Sequence, residues 1–66
     1  MESIVSRNIR RILDERGLKQ KFVAEKAGYT QPTFNSICNG RRKVTEDDVT
    51  RICGALNLEP NDLFAR

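Results

Sequence analysis

The segment KQKFVAEKAGYTQPTFNSICNGRR, Lys19 to Arg42, decides the fold. Within it Phe22, Val23, Lys26 and Ala27 recur at about helical spacing, and Ala24 is small enough for a second helix to approach closely. Gly28 follows, where that helix must stop and the chain turn sharply, a conformation that a residue without Cβ adopts at little steric cost. Another helix starts directly afterwards: Thr30 offers a hydroxyl cap, and Pro32 suits a first turn because its missing N–H has no intrahelical acceptor to lose. Proline also disfavours the α conformation in the residue before it, so either Thr30 or Gln31 is the cap. A shift of one residue rotates the exposed face by about 100° in a helix of about 3.6 residues per turn, and the direction of Gln31 depends on it.

In the second of these helices Phe34, Ile37 and Cys38 stand at i, i+3 and i+4 and face inward. Pro32, Asn35, Ser36 and Asn39 point away from that stripe, and Gln31 projects from the N-terminal end. Asn39-Gly40 ends the helix, and Arg41-Arg42-Lys43 follows as a compact cationic cluster suited to phosphates. The segment reads as a helix-turn-helix whose outer polar residues are candidates to face a DNA groove.

The rest of the 66-residue chain supplies a scaffold for that unit. The length allows one small domain, residues 1–66, with a core that is marginal unless idealised or supplemented by oligomerisation. Ser3 or a neighbour caps a first helix to about Arg16, with Val5, Ile9, Ile12 and Leu13 on one face. Gly17 stops it, and Leu18 plugs the core from the connection. Thr45 heads the run T-E-D-D, a hydroxyl cap with carboxylates in the first turn, where the helix dipole favours negative charge. The helix it opens carries Val49, Ile52, Cys53 and Leu56 as its stripe. Gly54 in its interior costs roughly 1 kcal/mol against alanine, which points to close packing or a tolerated weakness, and close packing is the expectation. Asn57 ends this helix and Pro60 opens a last short one. The fold class is all-α with five helices; there is no repeat and no β-alternation.

Charge is distributed unevenly. The net charge is +3, yet residues 1–43 hold ten Lys/Arg against four Asp/Glu, and residues 44–66 hold two against five. That polarity favours a polyanion approached by the basic part, with the acidic end turned away. With 38% hydrophobic and 32% charged residues the chain is of soluble, globular type, and its longest apolar run is far too short to cross a bilayer. The N-terminal MESIVSRNIR has no apolar h-region, so a cytoplasmic protein without membrane association is expected. Cys38 and Cys53 are the two thiols and there is no histidine, a poor set for tetrahedral zinc; both read as reduced core residues rather than a disulfide or redox pair. Acid–base and nucleophilic constellations and a phosphate-cradling glycine loop are likewise missing, so neither an enzyme nor a cofactor is expected.

On these residues the chain resembles the phage repressor and Cro (XRE-type) helix-turn-helix family over nearly its whole length. The resemblance rests on Ile9-Arg10-Arg11-Ile12-Leu13, Gly17-Leu18-Lys19-Gln20, Ala24-Glu25-Lys26-Ala27-Gly28, Thr30-Gln31-Pro32-Thr33-Phe34, Asn39-Gly40-Arg41-Arg42, and Ala55-Leu56-Asn57-Leu58 before Asp62-Leu63-Phe64. It implies a compact five-helix, lambda-repressor-like domain in which the third helix enters the major groove and the second lies across the backbone.

The resemblance makes Gln31 the prime base reader, its amide able to accept from adenine N6 and donate to N7, with Asn35 and Ser36 behind it. Pro32, where a polar residue is common, offers only apolar contact, for instance to a thymine methyl. Gln20 resembles the family's phosphate clamp at the start of helix two. Lys19 replaces the hydroxyl that commonly caps that helix, which forfeits on the order of 1 kcal/mol and adds a cation for phosphate. Thr33, Asn39, Arg41, Arg42 and Lys43 complete the expected backbone contacts. Tyr29 stands where an aliphatic residue is usual, and a mostly buried ring is expected, its hydroxyl near a phosphate in the less favoured reading. The implied function is a sequence-specific regulator, most simply a repressor, binding a double-stranded, roughly two-fold symmetric operator as a homodimer, with no small-molecule effector. Leu58, Leu63, Phe64 and Ala65 are candidates for the dimer interface, and each reads equally well as core. The alternative is a helical protein-interaction module, antitoxin-like or antirepressor, that has lost DNA binding.

Overall fold

A computed structural model describes residues 3–66. Among them five helices follow one another: α1 (Ile4–Arg16), α2 (Gln20–Ala27), α3 (Gln31–Cys38), α4 (Glu46–Leu56) and α5 (Pro60–Phe64). The all-α architecture predicted from periodicity is the one observed. Helix ends coincide with the residues whose chemistry demands them. Ser3 caps α1 by accepting from the Ser6 N–H at 3.0 Å, and α2 gives way to α3 through Gly28 at φ 84°, in the left-handed region where a Cβ is strained. Asn57 ends α4 at φ 57°, a conformation that asparagine tolerates better than most residues.

The helices close around Phe34, Ile9, Ile37, Ile52, Leu63 and Val23, all fully buried. Helix α1 packs on α3 and α5, and α4 on α2 and α5, while α2 and α3 pack on each other within the helix-turn-helix. Leu18, Tyr29, Val44, Val49 and Leu58 cover this centre from its margins, half-buried. The extents of 26 × 23 × 21 Å are those of a nearly isotropic body. Cys38 and Cys53 are buried and unpaired, one in α3 and one in α4.

Polar side chains of α1 satisfy the ends of three other helices. The last carbonyls of a helix have no intrahelical donor. Ser6 Oγ donates to the Ile37 carbonyl at 2.7 Å, and Arg16 Nη1 to the Leu56 carbonyl at 2.6 Å. Asn8 Nδ2 donates to the carbonyls of Leu63 and Ala65, each at 2.7 Å. These bonds tie α3, α4 and α5 to one helix and so fix where α3 sits.

Two expectations are corrected here. Gly54 is exposed, and a Cβ built on it would meet nothing within 4 Å, so the close approach expected at that position is absent and the glycine is a tolerated weakness. Leu63, a candidate for an interface between copies, is fully buried in the core of its own chain, because α5 is too short to hold its place without that anchor.

Candidate nucleic-acid interface

The outward face of α3 is set by what its other face buries. Phe34, Ile37 and Cys38 have no solvent exposure, which leaves Asn35 and Ser36 half-exposed and Gln31, Pro32 and Asn39 open to solvent. Thr30 is the cap: it is extended, with ψ 156°, and its Oγ1 accepts from the Thr33 N–H at 3.4 Å. Gln31 is therefore the first helical residue and Pro32 the second. The Thr33 hydroxyl accepts from Thr30 Oγ1 at 2.9 Å, which leaves its own proton to donate. Among the described residues the side chains of Gln31 and Ser36 make no hydrogen bond, and their full donor and acceptor capacity faces outward.

Asn35 differs from them. Its Nδ2 donates to Gln20 Oε1 at 3.1 Å, and its Oδ1 accepts from Asn39 Nδ2 at 2.9 Å. The three amides form a polarised relay running Asn39, Asn35, Gln20. The relay fixes the rotation of the Asn35 amide and occupies one of its donors and one acceptor lone pair, which reduces its freedom to read a base. At the other end it leaves Gln20 Nε2 unengaged at the start of α2, where the helix terminus also favours an anion. Lys19 precedes it as an N-cap with no side-chain cap bond, as its chemistry requires.

Beyond α3 the chain curls back on itself. The Arg41 and Arg42 N–H groups both donate to the Ser36 carbonyl, at 3.0 and 3.3 Å. Arg41 and Lys43 are exposed cations. Arg42 is exposed as well, but its guanidinium lies 3.4 Å from Asp48 Oδ1.

Asp48, which holds Arg42, is the residue of this region that sequence reading missed. Its place at N3 of α4 gives it a reciprocal cap with Thr45, whose N–H donates to Oδ2 at 3.0 Å. That much follows from the T-E-D-D run. Its burial, at 2% exposure, and its bond from the Tyr29 hydroxyl at 2.5 Å do not, because Tyr29 lies far away in sequence. Burial alone would push the Asp48 carboxyl up, yet the bonds from Tyr29 and Thr45 and the Arg42 charge together hold it below the usual carboxylate value. The Tyr29 hydroxyl is driven upward, by burial first and then by its bond to Asp48. The ring of Tyr29 is half-buried and stacks on Phe34 with centroids 6.0 Å apart. Its hydroxyl is taken by Asp48 instead of standing free for a phosphate.

The candidate interface residues at the C-terminal end separate in the same way. Phe64 is 51% exposed and Ala65 is exposed, while Leu58 is half-buried against the core. Phe64 borders an open apolar groove of about 420 Å³ walled by Val5, Val44, Val49 and Pro60. Among the described residues no helix is long and apolar enough to cross a membrane.

Comparison with known proteins places this geometry. The family model described as the Cro/C1-type helix-turn-helix DNA-binding domain matches residues 8–66. Among solved structures, the clp gene regulator ClgR from C. glutamicum superimposes with a TM-score of 0.87 at 18% identity, over 92% of this chain and 79% of that one. The restriction-modification controller protein C.AhdI from Aeromonas hydrophila gives a TM-score of 0.86 at 24% identity, over 92% of each chain. At such identities these two likenesses speak for the fold. A search of curated proteins gave no match.

Proposed function

The chain belongs to the Cro/C1-type helix-turn-helix DNA-binding family, and on that premise we propose that residues 1–66 act as one sequence-specific transcriptional regulator, most simply a repressor that excludes other proteins from its operator. The observation that carries this reading is the outward face of α3: the exposed Gln31 at its start and the half-exposed Ser36 further along stand uncommitted, with Gln20 at the start of α2 and the cations of residues 41–43 after α3. A groove-inserted helix needs that division, with phosphate contacts fixing its register and a few side chains reaching base edges. Gln31 reads a base through its amide, Ser36 reads directly or through water, and Pro32 adds apolar contact. Asn35 supports the reading face through its relay. Gln20, Lys19, Thr33, Asn39, Arg41, Arg42 and Lys43 hold the backbone. The setting is the cytoplasm, on chromosomal or phage DNA.

Dimerisation belongs to the same reading. One short helix reads only a few base pairs, and pairing two supplies specificity. The two solved proteins of similar fold, a clp gene regulator and a restriction-modification controller protein, fit a regulatory role for this one. Phe64, exposed at the rim of the apolar groove, with Ala65 next to it in the chain and the outer edge of Leu58, is the face offered to a second copy; a large exposed apolar side chain beside an open apolar groove favours burial in a partner.

Selection of bound duplexes from a random pool tests the function. The expected product is an inverted repeat with half-site centres about 34–36 Å apart, one turn of the double helix. Recovery of the pool unenriched at low salt would end the proposal.

A further inference from the structure

Arg42 is joined to the body of the protein in a way that its two cationic neighbours are not. Its guanidinium sits 3.4 Å from Asp48 Oδ1 and 5.9 Å above the ring centroid of Tyr29. Arg51 covers the same ring at 5.4 Å. Tyr29 leads into α3, stacks on Phe34 within it, and donates its hydroxyl to the same Asp48 oxygen. Asp48 thus joins the turn before α3, the loop after α3 and the first turn of α4.

A helix cap alone does not require this arrangement. An exposed aspartate at N3 caps equally well, and burying a carboxylate is unfavourable unless it is fully paired. What burial adds is a fixed anchor for the loop. Arg42 has five N–H donors in a rigid fork and gives one to Asp48. With 41% of its side chain exposed, the remaining donors can meet an outside acceptor. An arginine already held in place has less rotamer freedom to lose when a phosphate arrives.

We propose that Asp48 is a positioning residue for DNA binding, holding Arg42 on the Tyr29 ring so that the free edge of the guanidinium donates to a backbone phosphate. The inference rests on the reading that residues 41–43 face the DNA backbone. It predicts the opposite of simple electrostatics, in which a carboxylate near DNA only repels.

Asp48→Asn tests it, since the amide keeps the size and one acceptor oxygen, removes the negative charge that holds Arg42, gives up the oxygen that accepts from the Thr45 N–H, and adds one unit to the net charge of +3. On the selected duplex the variant should bind about tenfold more weakly, as expected for one lost charge-assisted contact. The slope of log K against log salt should flatten by about 0.9, the value of one phosphate contact. In an Arg42→Ala background the same substitution should have no further effect. Tighter binding with an unchanged or steeper slope would overturn the inference, and so would equal losses in both backgrounds, the mark of a purely structural role. Thermal unfolding establishes that each variant is folded at the binding temperature. If Asp48→Asn is not, Arg42→Lys decides: it should lose most of what Arg42→Ala loses, whereas binding equal to the parent's would refute positioning. A parent that binds no duplex specifically refutes the functional reading as well; a parent that binds while the variants match it refutes this inference alone.

Discussion

Gln31 occupies the first position of α3 with its side chain exposed, and its amide offers the donor–acceptor pair that an adenine edge complements. Replacing it by alanine should weaken binding to the selected duplex by roughly 1–3 kcal/mol and leave binding to random duplex almost unchanged, as read by fluorescence anisotropy on both. Equal losses on the two would take Gln31 off the bases. Its position was legible in the sequence because it depends on local facts: the inward stripe of Phe34, Ile37 and Cys38 and the turn at Gly28. Proline at 32 left the cap undecided between Thr30 and Gln31, and the Thr30 hydroxyl settles it by accepting from Thr33. Asn35 and Tyr29 were not legible in the same way. Both stand where expected, but their polar atoms are taken by Gln20, Asn39 and Asp48, and no periodicity reports which side chains from other elements meet.

At the scale of the helices, local chemistry sets the ends and tertiary contacts set the roles. Caps at Ser3, Thr30 and Thr45 and left-handed residues at Gly17, Gly28 and Asn57 bound the elements where the sequence places them. The service of α1 in satisfying the carbonyl ends of α3, α4 and α5 was hidden, since Ser6, Asn8 and Arg16 carry no signal of what lies across the interface. Gly54 gives a clean test at this scale. Its exposed, open surroundings mean that Gly54→Ala should stabilise the protein by about 1 kcal/mol, raising the melting temperature by roughly 4–8 °C in circular dichroism. A lower melting temperature would show that the site is crowded after all. Lys19→Ser should add a hydroxyl cap to α2 worth on the order of 1 kcal/mol while removing one cation, so stability should rise as DNA affinity falls. Parallel changes in the two would contradict the dual reading of Lys19.

The described residues form a small core held by five helices, and two properties belong to the molecule as a whole. Association through the C-terminal face should depend on Phe64, so Phe64→Glu should shift sedimentation toward the monomer and weaken operator binding more at low protein concentration; an unchanged sedimentation coefficient would place the interface elsewhere. The second property is alkaline stability. Burial pushes the Cys38 thiol from about 9 up to about 11, with the Arg10 charge pulling the other way. The folded state therefore keeps a proton that the unfolded chain releases; stability is fully present below pH 9 and declines as pH rises through about 11. Cys38→Ala should flatten that part of a urea-unfolding profile against pH, and an identical decline in the variant would remove the thiol as its cause.

Charge polarity, the basic loop and the uncommitted face of α3 converge on one claim, that this protein tells one DNA sequence from another. The most direct test is equilibrium binding to the selected operator and to a scrambled duplex of equal length, measured across a salt series. The account predicts two nearly parallel, steeply falling lines of log K against log salt, because the same phosphates are held on both, with the operator line higher by a factor of about 10³ or more. Superimposed lines would contradict it: the protein would then hold the DNA backbone without reading its bases.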